Sequence, residues 1–159
     1  MSGKIYVPEG EARPESQIGA TLEALYATIE SRKDAGDESY THRLLSGDVD
    51  TPLKKLTEEA VEVALAAKDV TAANRLASMA LESEGADAEI TSKRNQDADA
   101  EVDHLRYEAA DVVYHLLVVL ARYGVGIDEF AAELNNRMRD DERPEGAVRL
   151  HDEYVRRGK

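Results

Sequence analysis

Leu53-Lys54-Lys55-Leu56-Thr57-Glu58-Glu59-Ala60-Val61-Glu62 (residues 53–62) and Glu108-Ala109-Ala110-Asp111 (residues 108–111) set acids into otherwise apolar helical stretches. At ~100° per residue, Leu53, Leu56, Ala60, Val63, Ala64 and Ala67 share one helix face, which Val61 and Leu65 extend. Glu58, Glu59 and Glu62 fill the remaining strip, with Glu59 at its edge. From Leu105 to Tyr123 the pattern recurs. Leu105, Ala109, Val112, Val113, Leu116, Leu117 and Leu120 form the apolar side, while Glu108, Asp111, His115 and Arg122 form a polar line. The pattern fits two readings. One is a pair of solvated faces on amphipathic helices. In the other, Glu59/Glu62 and Glu108/Asp111, each at i, i+3, build a four-carboxylate cage for a hard divalent cation between facing helices.

Working outward, the segment Ile18–Ile29 carries Leu22, Leu25, Tyr26 and Ile29 at helical spacing, and Gly36 ends it. Ser39-Tyr40-Thr41 opens a short turn or helix to Leu45. Asp50 or Thr51 is expected to cap the next helix, with Pro52 in its first turn and an end near Asp69. Helical spacing persists through 70–84 until Gly85, and the charged stretch 86–103 predicts a solvated loop or partly disordered segment. Gly124-Val125-Gly126 breaks the second long helix, and a last helix is predicted over 127–139. The expected organisation is a polar arm (1–17), a domain (18–139) that carries an acidic stretch at about 70–103, and a polar tail (140–159). The fold class is all-α: a compact helical bundle of about five helices, too few to cover every apolar face, and so completed by homodimerisation.

Composition narrows the function. There is no cysteine, which excludes disulfides and thiolate metal sites and suits a cytoplasmic location. A net charge of −13 argues against a nucleic-acid partner, because phosphates must be neutralised by Lys and Arg. The acidic surface with few lysines is halophile-like. No apolar run approaches the ~20 residues of a membrane span, so no membrane association is expected, and the start of the chain shows no signal-peptide pattern.

Carboxylates without thiols, and with few histidines, point to Mg²⁺, with Mn²⁺ as a substitute, and such ions act on phosphates. Lys54-Lys55 and Arg32-Lys33 are candidate phosphate-binding cations, and equally ordinary surface charges. His115 lies one turn beyond Asp111 beside Tyr114, and reads as structural, as an orienting partner or as a phosphate contact. Helix capping alone would explain Ser39 or Thr41.

The words Ile29-Glu30-Ser31-Arg32-Lys33, Glu38-Ser39-Tyr40-Thr41, Leu53 to Glu62, and Glu108-Ala109-Ala110-Asp111-Val112-Val113-Tyr114-His115 occur in one order. On these the chain resembles phosphoribosyl-ATP pyrophosphohydrolases of histidine biosynthesis, within the MazG-like all-α nucleotide pyrophosphohydrolases. The carboxylate pairs would identify only the wider group; Ser39-Tyr40-Thr41 and Tyr114-His115 select this member. The resemblance implies a nucleotide substrate, a homodimer and Mg²⁺ held by Glu59, Glu62, Glu108 and Asp111. It implies Glu58 as a further ligand or a base for water, with Glu59 also in the catalytic set. Arg32, Lys54, Lys55, Tyr114 and His115 would face the phosphates or phosphoribosyl group, and Ser39, Tyr40 and Thr41 would line that pocket. Alternatives are a relative acting on noncanonical nucleoside triphosphates, and a noncatalytic helical dimer.

Overall fold

In the computed structural model, residues 10, 16–82, 87–151, 153 and 155 are described. The expected arm lies almost wholly outside them, as does the expected break at Gly85. Among the described residues there is no strand. The elements are α1 (Ile18–Ser31), a 3-10 turn (Arg32–Asp34), α2 (Tyr40–Ser46), α3 (Asp50–Glu82), α4 (Ala88–Arg122) and α5 (Ile127–Asn135). They form two compact units, one containing Asp48–Leu116 and the other Ile18–Gly47 with Leu117 onward.

The first unit is a long helical hairpin. Its helices α3 and α4 hold 33 and 35 residues, so each is about 50 Å long. Asp69 and Leu76 share a cleft with Arg94 and Glu101, while Glu59 lies near Glu108 and His115, so the two helices run antiparallel. The covered positions of α3 are Pro52, Leu56, Glu59, Val63, Ala66, Val70, Ala73, Ala77 and Ala80, alternating by four and three. That is the 3.5-residue repeat of two helices packed along a seam. On α4 the seam includes Ala98, Leu105, Glu108, Val112 and His115.

Three expectations are corrected here. First, the 86–103 stretch is not a loop: α4 begins at Ala88, and Asp87 Oδ1 accepts from Glu89 N at 2.8 Å. Its seam is built from small residues such as Ala98, so the usual signal of large apolar side chains is missing, while Ala, Glu, Lys and Gln favour helix. Second, α3 does not end near Asp69, and its cap is Asp48, whose Oδ2 accepts from Thr51 N at 3.1 Å. Third, the face of α3 expected to be buried is largely exposed. Leu53, Val61 and Leu65 are 39%, 53% and 55% exposed, whereas Glu59 is 7%. Helix α3 is apolar on two sides, and the hairpin covers only one. Leu76 and Met79 continue the uncovered stripe.

The second unit buries Tyr26, Ile29, Leu44, Leu45, Leu117, Val118, Ala121 and Ala132. At the end of α4, Gly124 takes φ +73° and Val125 N returns to Leu120 O at 2.9 Å, the left-handed helix stop that glycine favours. Arg122 donates to Leu44 O at 2.6 Å and Gly47 O at 2.8 Å, placing a cation at the carbonyl end of α2. Helix α5 stops at Asn135 rather than near Arg139, because the chain turns there and folds back. Asn135 Nδ2 donates to Val148 O at 2.9 Å and Asn136 Nδ2 to Leu150 O at 2.8 Å.

Tyr26 ties α1 to the corner before α5, its hydroxyl donating to Val125 O at 2.7 Å. Burial pushes this phenol above its ordinary pKa, with Glu30 acting in the same direction. Replacing Tyr26 by Phe removes the donor and leaves the carbonyl unsatisfied. The expected result is a loss of about 1–2 kcal/mol in urea unfolding, with the denaturant dependence unchanged.

Candidate active site

The seam that pairs α3 with α4 carries three acids where apolar residues would otherwise sit or border it. Glu59 on α3 and Glu108 on α4 are each 7% exposed, and Glu62 lies one turn beyond Glu59 on the exposed side. One oxygen from each lies within 4.8 Å of the other two. Such crowded carboxylates repel strongly where water is scarce, so this arrangement calls for cations. One lysine and one histidine lie beside them. Lys55 Nζ is 3.0 Å from Glu58 and 3.6 Å from Glu59, and His104 Nε2 is 2.9 Å from Glu108.

The donor set fits a divalent ion. All three ligand atoms are hard oxygens, and Mg²⁺ at about 2.1 Å spans about 4.2 Å between opposite ligands. A shared ion therefore requires only small side-chain adjustments. The spacing gives Glu59, Glu62 and Glu108 one common centre. Asp111, one turn beyond Glu108, is half-buried and lies outside that three-oxygen group.

His115 closes the inner side. Its Nε2 is 3.7 Å from Glu59, and the Tyr114 ring stands edge-on to it at 5.0 Å between centroids. Burial is the main cause holding the imidazole below its ordinary pKa of 6.5. Lys55 acts the same way, while Glu59, Asp111 and Glu58 oppose it. A neutral ring can offer one donor and one acceptor.

The other candidates fall in two places. Lys54 and Glu58 are exposed and, with Glu62, border a groove of about 760 Å³ walled by Leu53, Val61 and Leu65. Arg32, Ser39, Tyr40 and Thr41 belong to the second unit. There Ser39 caps α2, its hydroxyl accepting from His42 N at 3.3 Å, and Arg43 lies over the Tyr40 ring at 5.9 Å. His104 is a further residue at this cluster, outside the sequence expectations. Its i, i+4 spacing to Glu108 on a helix was the available signal.

The family described as phosphoribosyl-ATP pyrophosphohydrolase matches residues 22–138. A phosphoribosyl-ATP pyrophosphatase of Paracidovorax citrulli is 37% identical over 79% of this chain and 76% of its own length. One from Halobacterium salinarum is 35% identical over 73% of this chain and 95% of its own length. The histidine biosynthesis bifunctional protein HisIE of Halalkalibacterium halodurans is 37% identical over 79% of this chain, and the match spans 44% of that protein. No solved structure matches.

The His115 ring gives a pH signature. The unfolded chain protonates near pH 6.5, while the folded ring resists until lower pH. Its contribution to stability is thus complete above about pH 6.5 and declines as pH falls toward the lowered folded value. In chelator-treated protein, the drop in Tm from about pH 7.5 to about pH 5.5 is expected to be smaller for His115→Gln than for wild type. Equal drops would show the ring to be ordinarily hydrated.

Proposed function

The chain belongs to the phosphoribosyl-ATP pyrophosphohydrolase family, and from that premise we propose that it hydrolyses phosphoribosyl-ATP to phosphoribosyl-AMP and pyrophosphate in histidine biosynthesis. The observation that carries the reading to this chain's own residues is the convergence of Glu59, Glu62 and Glu108 within 4.8 Å beside basic groups. In this reading those three, with Asp111, hold Mg²⁺, or Mn²⁺ in its place. The bound cation would offset negative charge on the departing pyrophosphate.

The side chains supply the rest. Glu58, exposed and held by Lys55 at 3.0 Å, takes the proton of a water attacking at the α–β phosphoanhydride. Glu59 shares this catalytic edge while anchoring the cluster from inside the seam. Lys54, Lys55 and Arg32 meet phosphate oxygens, and Tyr114 with His115 faces the phosphates or the phosphoribosyl group from the inner side. Ser39, Tyr40 and Thr41 line the phosphoribosyl pocket. A cytoplasmic location belongs to the same reading.

Pyrophosphate release with and without Mg²⁺, on phosphoribosyl-ATP beside dUTP, dCTP and ITP, tests this. Metal-dependent release from phosphoribosyl-ATP is expected, with the other triphosphates slow. Glu59→Gln and Glu108→Gln should each lower kcat/KM on the order of 100-fold or more, with helical content retained. Preference for dUTP or ITP would move the protein to the wider group, and full activity in both variants would end the metal assignment.

A homodimer is the second part of the proposal. Its support is the stripe of Leu53, Val61, Leu65, Leu76 and Met79 along α3, opposite the hairpin seam and more than a third exposed at each position. A second copy laid on this stripe would also wall the open groove beside Glu58 and Glu62. Sedimentation of wild type should give a dimer at micromolar concentration, and Val61→Glu with Leu65→Glu together should weaken it on the order of 100-fold or more. A wild-type monomer would refute this part.

A further inference from the structure

The 3-10 turn Arg32–Asp34 is too short to hold its own shape, since three residues close little more than one hydrogen bond, here Ala35 N to Arg32 O at 3.2 Å. Its carbonyls end α1 and need partners from elsewhere. Helix α2 provides them. His42 Nδ1 lies 2.8 Å from Lys33 O and 3.2 Å from Arg32 O. Both neighbours are acceptors, so Nδ1 carries the hydrogen and shares it between them. The rest of the loop is braced from α2 and from its cap residue Ser39. Arg43 Nη1 donates to Asp37 O at 2.7 Å, and Ser39 N donates to Gly36 O at 3.1 Å, just after Gly36 turns the chain at φ +79°.

The braced turn presents two cations, and they differ. Lys33 Nζ is drawn back along α1 to Glu30 at 3.1 Å. Arg32 has no carboxylate partner among the described residues and is exposed. We propose that His42 is a positioning residue: by bonding the carbonyls of Arg32 and Lys33 it fixes the turn that presents the Arg32 guanidinium to the substrate's phosphates. This rests on the reading of Arg32 as a phosphate contact. Arginine recognises phosphate through a planar pair of donors, so its worth depends on the angle at which its backbone is held. The histidine acts through the backbone and touches no substrate.

Four variants test it by steady-state kinetics on phosphoribosyl-ATP, each checked for helical content. His42→Ala should raise KM about tenfold, equivalent to about 1.4 kcal/mol, with kcat within twofold. His42→Asn should restore most of the loss, because its amide N–H occupies the place of Nδ1. His42→Gln, whose amide corresponds to Nε2, should not. In Arg32→Ala the KM should rise at least as much, and the double variant Arg32→Ala/His42→Ala should be no worse than Arg32→Ala alone. Additive losses, or equal rescue by Asn and Gln, would overturn the proposal. If Arg32→Ala itself leaves KM unchanged, it is the phosphate role of Arg32 that fails. A folded His42→Ala with normal KM beside an impaired Arg32→Ala would refute the positioning role alone.

Discussion

Acid buried in a helix–helix seam is the constraint on which the first unit turns. Glu59 and Glu108 occupy positions that the 3.5-residue repeat reserves for packing, and each is 7% exposed. An apolar residue there would add burial energy of about 1.5–3 kcal/mol, whereas an ionised carboxylate must be compensated. The long remainder of the hairpin supplies the stability that such a defect requires. Above and below the acids the seam continues through Leu56, Val63, Ala66, Leu105 and Val112. Compensation comes in layers: Lys55 from one turn earlier on α3, His104 from one turn earlier on α4, and the place between the three oxygens for a divalent ion.

Much of this was legible in the sequence. The start of α1, the turn at Gly36 (five residues beyond the end of α1 at Ser31), the short helix after Ser39, the break at Gly124 and the start of α5 follow from local chemistry. The convergence of Glu59, Glu62 and Glu108 was legible too, because charge inside an apolar helical pattern is conspicuous, whereas Asp111, expected with them, lies outside that group. Face assignment was not. Leu53, Val61 and Leu65 are bulky apolar residues that periodicity places in the core of one chain, but the seam runs on the other side through Leu56, Val63 and alanines. Hydrophobicity shows that a surface is to be covered and is silent on what covers it. The helix over 88–103 was missed for a related reason, since an alanine seam carries little hydrophobic contrast.

The residues that sequence reasoning passed over share a property: each acts on backbone or on another side chain at a distance set by the tertiary turn. Arg122 reads as one more charge on a polar line until its two bonds to Leu44 O and Gly47 O are seen. Arg43 on Asp37 O, and Arg143 on Asn135 O and Met138 O, repeat the device. Arginine suits it because its five donors can serve carbonyls that point in different directions. Carbonyl ends of short helices and turns are thereby closed by side chains rather than by water, a use that no spacing rule in the sequence announces.

That use of arginine bears on catalysis. With 20 basic against 33 acidic residues, a polyphosphate approaching this protein meets a repulsive field before it meets any site. The field is screened over about 8–10 Å at ordinary ionic strength, so it governs approach more than the bound state. What counts at contact is the local set of charges, and arginines committed to carbonyl ends contribute little to it. In the proposed reading Lys54 and Lys55 on α3, the latter already paired with Glu58 and Glu59, and Arg32 on its braced turn would meet the phosphates, against carboxylates that are themselves negative. An acidic cluster facing an anionic substrate makes physical sense only with a cation between them. On the proposed function, the same crowding that makes Glu59, Glu62 and Glu108 unfavourable neighbours would make the site's affinity for substrate conditional on the ion, and so tie binding and chemistry to one event.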